Sequence, residues 1–237
     1  IGHPQKINNE LFNAASIIQN NAILASYHKQ SLPNYSVFDE ERYFEMGSDA
    51  LVFEHAGTKF GVLICADGWD KTPAKHAKQA GAEVLLFLNA SPYHINKLAT
   101  RVDIFAKRAT ETGCSLIYVN MVGGQDELVF DGASFALNSS GHITHQFESF
   151  SEDLYLLEFK DNQPINGLIA PTLSEEASIY NALKLGLRDY VNKNGFPSVV
   201  LGLSGGVDSA LTLAIAVDAL GADRVKVVLM SSEFTAN

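Results

Sequence analysis

The chain has 237 residues, of which 46% are hydrophobic and 19% charged, and its formal net charge at pH 7 is −10. The negative charge and the lack of a basic patch with interleaved aromatic residues argue against nucleic acid as a partner. No apolar run reaches the length of a membrane-spanning helix, so we expect no membrane partner. Two cysteines, Cys65 and Cys114, do not suggest a disulfide framework and favour a reducing, cytoplasmic setting.

Strands and helices alternate in the first half of the chain. A polar turn, Gln19-Asn20-Asn21, separates the first two apolar segments, and glycines close several later ones. The patterns predict strands at residues 11–18, 22–28, 51–54, 60–64, 84–89 and 115–122, and helices at residues 71–80 and 98–112.

Antiparallel hairpins are predicted next, and then a change of domain. Further strands are predicted at residues 127–130, 133–137, 142–147 and 154–159, with Asp131-Gly132 as a hairpin turn that also accounts for Asp131. Residues 161–174 contain two prolines and a glycine with little periodicity, and they predict a linker. A helix at 175–193 is followed by a strand at 198–203, a helix at 208–220 and a strand at 225–230, which form a βαβ unit. The fold class is therefore α/β.

The stretch FGVLICADGW, residues 60–69, is the first candidate for chemistry. It predicts a buried strand that ends at Cys65 and turns sharply into a helix. Backbone N–H groups and a helix dipole at that place would lower the pKa of the thiol and favour the thiolate. On these residues alone, a buried structural cysteine is an equally good interpretation. Cys114, after a helix-ending glycine, is expected to be structural.

Lys29 is the candidate cation for such a thiol. It lies in a loop beside an apolar strand, and Glu40 and Glu41 follow shortly after. Amide hydrolysis through a thiolate needs a base and a cation or N–H pair for the tetrahedral oxyanion. The alternative is a solvated loop lysine, which spacing alone favours.

A glycine-rich loop lies between the strand at 198–203 and the helix at 208–220. Its glycines allow an oxyanion to approach the backbone, and Asp208 offers a hard oxygen ligand for the magnesium that accompanies ATP. It is neither a Walker A loop nor a dinucleotide-binding fingerprint. The alternative is a turn that only packs strand on helix. The loop consists of Gly202, Leu203, Ser204, Gly205, Gly206, Val207, Asp208 and Ser209.

These motifs carry a resemblance to a known family. SGGVDS after a strand resembles the pyrophosphate loop of the N-type ATP pyrophosphatases. YHKQSLPNYSVFDEERYF, FGVLICADGWD, VLLFLNASPYHINK and YVNMVGGQDELVFDGAS resemble successive motifs of the nitrilase-type glutaminase domain of the glutamine-dependent NAD synthetases. The second resemblance covers most of residues 1–160.

The resemblance implies a role for each matching residue. Cys65 matches the nucleophile, Lys29 the lysine of the nitrilase Glu-Lys-Cys triad, and Glu40 a supporting second glutamate. Tyr35, Ser91 and Lys97 match positions that hold glutamine. The glycine loop matches the ATP site, with Asp208 as a magnesium ligand.

The resemblance also implies a fold and a reaction. The fold is a nitrilase-like α-β-β-α sandwich over residues 1–160 without its first strands, a linker at 161–174, and the start of a Rossmann-like ATP pyrophosphatase domain at 175–237. The reaction uses glutamine, ATP, Mg²⁺ and deamido-NAD, with no covalent cofactor, and passes ammonia between domains of a homo-oligomer. The chain starts without methionine and stops after a strand, so we expect a part of a longer protein, inactive by itself.

Two departures leave alternatives open. The general-base glutamate of the family has no counterpart here, since Glu10 lies in the wrong context, and Ala66 replaces a common acidic residue. One alternative is another glutamine-dependent amidotransferase of the ATP-pyrophosphatase type with a different acceptor. The other is a non-catalytic remnant that keeps only a binding pocket.

Overall fold

The computed structural model describes residues 1–229. Its strands are β1 (Gly2–Ile7), β2 (Glu10–Gln19), β3 (Ala22–His28), β4 (Leu51–His55), β5 (Thr58–Ile64), β6 (Val84–Asn89), β7 (Ser115–Asn120), β8 (Val122–Gln125), β9 (Leu128–Asp131), β10 (Phe135–Leu137), β11 (Ile143–Gln146), β12 (Phe159–Lys160), β13 (Gln163–Pro164), β14 (Val199–Leu203) and β15 (Val225–Leu229). The helices are α1 (Lys71–Gln79), α2 (Lys97–Thr112), α3 (Glu175–Lys193) and α4 (Val207–Leu220).

A six-stranded mixed sheet is the centre of the first module, with strand order β11-β10-β7-β6-β5-β4. The inner strands β5, β6 and β7 are parallel, and the outer pairings are antiparallel. Helices α1 and α2 contribute to one core, in which Phe87, Phe105 and Phe135 are fully buried. A second core lies where Tyr27 of β3 packs with Val62 of β5. The three parallel strands therefore end together at one edge, where loops from β5 and β6 meet.

Strands β1, β2 and β3 form a separate antiparallel sheet. Its turns are Asn8-Asn9 and Asn20-Asn21, and all four asparagines have positive φ, as tight hairpin turns require. The strand at β1 was not predicted from the sequence. Its register begins with Gly2 opposite Ala15 and places β2 in the middle of this sheet.

Most predicted elements of the first half are confirmed within one to three residues, as are the helix at 175–193 and the parallel βαβ unit of β14, α4 and β15. The predicted strand at 115–122 is instead two strands, β7 and β8. Met230 of the last predicted strand lies outside the described residues.

The predicted hairpin turn at Asp131-Gly132 is wrong. Strand β9 pairs with β8 around a turn at Asp126-Glu127, while β10 pairs with β7 and β11. Asp131 is the last residue of β9 and its carboxylate is buried against Arg101. The dipeptide resembled a turn because Asp and Gly are common in hairpins, but a buried ion pair explains Asp131.

The predicted strand at 154–159 is also wrong, apart from its last residue in β12. Leu154 and Leu156 are 87% and 91% exposed, so their alternation faces no core. The predicted linker at 161–174 contains β13, and its residue Ala170 is buried and donates its N–H to Gln146 O of β11. Within residues 1–229, no helix is long and apolar enough to cross a membrane.

Helix α3 packs directly on the β8–β9 hairpin of the first module. Asp189 accepts from the backbone N–H of Gly124 at 2.8 Å, and Lys193 Nζ donates to Gly124 O. A Cβ on Gly124 would lie 3.0 Å from Gly186 Cα. Glycine at these positions lets the strand and the helix approach closely.

We therefore expect Gly124→Ala to lower the free energy of unfolding by about 1–3 kcal/mol, because the added methyl group overpacks a backbone contact. Gly2→Ala in strand β1 is the matched control, since its Cβ would meet nothing nearer than Ala14 O at 3.9 Å. Urea unfolding of the two variants measures the difference. Equal free energies of unfolding for the two variants would show that the contact between the hairpin and α3 can open without cost to the fold.

Candidate active site

Cys65 begins a 3₁₀ turn, Cys65–Gly68, directly after β5. Its φ is 41°, in the left-handed region that non-glycine residues rarely adopt. Strain of this kind amounts to about 1–3 kcal/mol and is concentrated at functional sites, where surrounding structure holds it. Cys65 is partly exposed, and it lines a cavity of about 370 Å³. Cys65 is therefore not sealed in the core, whereas Cys114, which was expected to be structural, is fully buried.

The cavity brings four of the predicted site residues together. Cys65, Tyr35, Ser91 and Lys97 all line it. Ser91 follows β6 as Cys65 follows β5, so the parallel strands bring these two residues to the same edge of the sheet. The other residues that line the cavity are Pro33, Ser36, Val37, Phe38, Ala66, Trp69, Pro92, Tyr93, His94 and Leu128. A pocket of this size, walled by apolar rings with a few polar groups, suits a small organic substrate.

Lys29 is almost completely buried, at 2% exposure. Its Nζ donates to both carboxylate oxygens of Glu40, at 2.6 and 2.8 Å, and Asn13 Nδ2 donates to Glu40 Oε2 at 3.3 Å. The solvated loop lysine is thus wrong. Glu41 differs from Glu40, since it is exposed and accepts only from Asn34.

Burial raises the pKa of the Cys65 thiol above its ordinary value. The positive charge of Lys29 opposes this, as do a hydrogen bond from the Ala90 backbone and the charge of Arg101, while Glu40 adds to the rise. The expectation of a lowered pKa is wrong, because desolvation in the apolar cavity is larger than the stabilising contacts of the thiolate. A raised pKa favours the thiol over the thiolate, so attack on a substrate would require a base.

Lys97 is a cationic residue of the cavity wall. Its Nζ lies 4.2 Å from the centroid of the Trp69 ring, in a cation–π contact. Burial lowers the pKa of Lys97, and the charge of Arg101 lowers it further. Tyr35 is 62% exposed and contacts Phe38 edge to face, so it stands at the mouth of the cavity.

Arg101 was missed by the sequence reasoning. It is fully buried, and its guanidinium donates to Ser91 Oγ at 3.2 Å, Ser91 O at 2.7 Å and Asp131 Oδ1 at 2.8 Å. It therefore fixes the loop that carries Ser91. The available signal was an arginine on the apolar face of α2, in line with the buried Phe105 and Ala109.

Asp67 was missed as well. It is fully buried two residues after Cys65, and its carboxylate accepts four hydrogen bonds. The stretch CADGW contained the signal, because an acidic residue within a buried turn requires partners.

The glycine loop connects β14 to α4, and Gly206 is the N-cap of the helix. Gly205 has a φ of 85°, which glycine adopts without strain. Ser204 Oγ and Ser209 Oγ are 3.1 Å apart. Asp208 lies exposed in the first turn of α4.

Six of the eight residues of this loop are exposed. The other two, Leu203 at the end of β14 and Ser209, are partly buried. The loop residues line a separate place from the cysteine cavity, whose walls contain none of them. An open glycine turn at a helix N-terminus is a suitable cradle for phosphate.

The site thus combines a strained, cavity-lining cysteine at the end of a parallel strand with a buried lysine–glutamate pair in the same module. The carbon-nitrogen hydrolase family model matches residues 1–161, and the NAD synthase family model matches residues 179–237. The chain belongs to the carbon-nitrogen hydrolase family and continues into the start of an NAD synthase domain.

Along nearly its whole length the chain is similar to glutamine-dependent NAD(+) synthetases. It is 48% identical over 226 residues to the one from Acinetobacter baylyi, covering 94% of this chain and 42% of that protein. It is 43% identical over 242 residues to the one from Xylella fastidiosa strain Temecula1, covering 100% of this chain and 44% of that protein. The chain thus spans less than half the length of these curated relatives.

Solved structures agree with this assignment. The glutamine-dependent NAD+ synthetase of Acinetobacter baumannii, in complex with ADP, has a TM-score of 0.94 at 45% identity, covering 99% of this chain and 45% of that one. A Nesterenkonia AN1 amidase of the nitrilase superfamily has a TM-score of 0.56 at 23% identity, covering 62% of this chain and 55% of that one, and shows the fold alone. The predicted fold class and the resemblance are confirmed.

Proposed function

We propose that this chain forms the glutamine pocket and the first part of the ATP site of a glutamine-dependent NAD synthetase. The observation that carries the proposal is the strained Cys65 lining a cavity beside a buried lysine–glutamate pair, in a chain that also holds the SGGVDS loop. The first half frees ammonia from glutamine. The second half uses ATP to adenylate deamido-NAD, whose carboxylate then becomes the amide of NAD.

The first reaction is amide hydrolysis through a thioester. Cys65 Sγ loses its proton to a base and attacks the side-chain carbonyl carbon of glutamine, and the oxyanion is stabilised by Lys29 and a backbone N–H after Cys65. The C–N bond breaks and the nitrogen takes the proton to leave as ammonia. Water then attacks the thioester, giving glutamate and restoring the thiol. Both oxygens of Glu40 accept from Lys29 and hold it in place. The base in this proposal is therefore the family's first-strand glutamate, which has no counterpart in this chain.

The other cavity residues would hold the amino-acid end of glutamine. Lys97 would pair with the substrate carboxylate, since among residues 1–229 it is the lysine that lines the cavity, while Lys29 is held by Glu40. Ser91, fixed by Arg101, and Tyr35 at the mouth would supply polar contacts. This arrangement favours an amino-acid amide over a simple amide.

The glycine loop fits ATP. Exposed backbone N–H groups at the start of α4 and the hydroxyls of Ser204 and Ser209 would receive phosphate oxygens. Asp208 is a carboxylate of the type that holds Mg²⁺ together with substrate phosphates. A bound Mg²⁺ would neutralise negative charge at the pyrophosphate. The relative from Acinetobacter baumannii was solved in complex with ADP, which supports nucleotide binding by proteins of this kind.

The remaining expectations belong to the same proposal. Residues 1–160 form the glutaminase part, 161–174 the connection, and 175–237 the first part of the synthetase domain. The two unpaired thiols support a reducing, cytoplasmic compartment. Ammonia would be protonated and lost in bulk water, so the proposal includes a protected passage for ammonia between the domains. It also includes a homo-oligomeric assembly.

The alternative function, a glutamine-dependent amidotransferase with a different acceptor, differs from this proposal only in the ATP-dependent reaction. An assay of a protein that carries this chain with a complete synthetase half separates the possibilities. Supplied with ATP and deamido-NAD, it should form NAD from glutamine or from ammonia. NAD formed from neither source, with glutamine still hydrolysed, would favour another acceptor; no glutamine hydrolysis would favour the non-catalytic remnant.

In the same assay, we expect Asp208→Ala to reduce both the glutamine- and the ammonia-dependent reactions about 10²-fold, because adenylation precedes both. Asp218→Ala is the matched control on the same helix, since Asp218 only accepts from Tyr180 at 2.8 Å on the surface. Exchange of pyrophosphate into ATP measures the adenylation step. Unchanged exchange in the Asp208 variant would exclude it as a metal ligand.

A further inference from the structure

Asp67 joins the two segments that carry Lys29 and Cys65. Its Oδ1 accepts from the backbone N–H groups of Gln30 at 3.0 Å and Ser31 at 2.8 Å, which follow Lys29. Its Oδ2 accepts from the backbone N–H of Ile64 at 2.9 Å, just before Cys65.

A fourth bond comes from Tyr27 on strand β3. The Tyr27 hydroxyl donates to Asp67 Oδ2 at 2.8 Å, and both residues are buried to within 1%. The chain on each side of Lys29 is thus tied to one carboxylate, by Tyr27 before it and by Gln30 and Ser31 after it. Lys29 has little freedom to move relative to the turn that begins at Cys65.

Four hydrogen bonds donated to its two oxygens suit an ionised carboxylate, because a protonated one would also have a hydrogen to donate. Burial raises the pKa of Asp67 above its ordinary value, and its bonds from Ile64, Ser31 and Tyr27 and the charge of Lys29 offset only part of that rise. Burial and the neighbouring carboxylate raise the pKa of Tyr27, so the phenol stays protonated as a donor. The pair has a defined direction: tyrosine donates and aspartate accepts.

We propose that Asp67 is a positioning residue for the thiol chemistry, which holds the Lys29 ammonium at the Cys65 sulfur through its bonds to both segments. The inference rests on the proposed hydrolysis of glutamine for its kinetic part only. Asp67 lies behind the cavity, whose walls do not include it, so it acts through Lys29 and Cys65.

The charges that face the thiol make the test directional. They come from Lys29 after β3, Glu40 in the adjoining 3₁₀ turn, and Lys97 and Arg101 of α2. If Asp67→Asn lets Lys29 move away, the thiol loses a stabilising cation and its pKa rises. If Lys29 stays, removal of a nearby negative charge alone would lower that pKa.

The experiment is the pH profile of Cys65 alkylation by iodoacetamide, in a Cys114→Ala background. We expect Asp67→Asn to move the profile to higher pH and to slow alkylation at neutral pH. In glutamine hydrolysis, kcat should fall about 10- to 100-fold with KM for glutamine nearly unchanged, because supporting groups act on the reacting atoms and not on the substrate's other end. Ammonia-dependent synthesis should be unaffected.

Asp70→Asn is the matched control. Asp70 lies three residues further along and caps α1 by accepting from Thr72 N at 2.8 Å, so its loss should leave the alkylation profile unchanged. Tyr27→Phe removes one of the four bonds and no charge, and it should give a smaller shift of the same sign even if Asp67→Asn fails to fold.

An unshifted or downward-shifted profile in the folded variants would overturn the inference. So would an unchanged kcat. If the unaltered protein does not hydrolyse glutamine, the proposed function fails, but the alkylation profile still decides the role of Asp67.

Discussion

Cys65→Ala should abolish the glutamine-dependent formation of NAD, by at least about 10⁴-fold, while ammonia-dependent formation stays within about twofold. Alanine cannot form the thioester, so hydrolysis through Cys65 stops. The second half uses ammonia from any source. The measurement is NAD formation with each nitrogen donor, in a protein with a complete synthetase half.

Cys114→Ala provides the control for this result. Cys114 is buried in the same module, and its thiol donates to Ala82 O at 3.2 Å, so its loss should affect both nitrogen donors alike and only slightly. Loss of both reactions in Cys65→Ala would instead mean that Cys65 supports the fold. The positive φ of Cys65 should persist in this variant, because alanine at that position adopts the same strained backbone conformation as cysteine.

Lys29→Met should reduce glutamine hydrolysis about 10³-fold, because the oxyanion loses a preorganised cation in a cavity where water does not replace it. It should also raise the pKa of the Cys65 thiol, since the charge of Lys29 lowers that pKa in the intact site. Alkylation of Cys65 would therefore move to higher pH. The free energy of unfolding should fall by about 3 kcal/mol, because Glu40 is left without its cation at 18% exposure.

Arg42→Met is the matched control for the ion pair. Arg42 Nε lies 2.7 Å from Asp39 Oδ2, but the two side chains are 67% and 43% exposed. Its effect on unfolding should be below about 1 kcal/mol, as for other exposed pairs, and the alkylation profile should not move. If Lys29→Met kept wild-type hydrolysis and an unchanged profile, Lys29 would have only a structural role.

Much of the fold was predictable, because apolar periodicity determines where strands and helices form. The strand before Cys65 and the helix after Asn96 follow from local pattern alone. The partners of buried polar residues were not predictable. Asp131 pairs with Arg101 thirty residues earlier, and only the folded β8–β9 hairpin brings the two together.

The site residues were located by motif, but their environments were not. Whether Lys29 is solvated depends on Glu40, whose carboxylate reaches it across a loop. The direction of the shift in the Cys65 pKa depended on how deeply the thiol is buried, which the neighbouring residues in the sequence do not reveal. The partners of Asp67 were not predictable either, since three of its four donors lie in residues 27–31, more than thirty residues earlier in the chain.

The packing of α3 on the β8–β9 hairpin has a consequence for dissecting the protein. Leu128 of that hairpin is a wall of the cysteine cavity, and Tyr93, another wall, donates its N–H to Val129 O and accepts at its hydroxyl from Ser178 of α3. Cutting the chain after residue 160 to obtain a free-standing glutaminase would leave this side of the cavity without its outer brace. A low rate from such a fragment would measure the loss of that brace, and a fair comparison would retain α3.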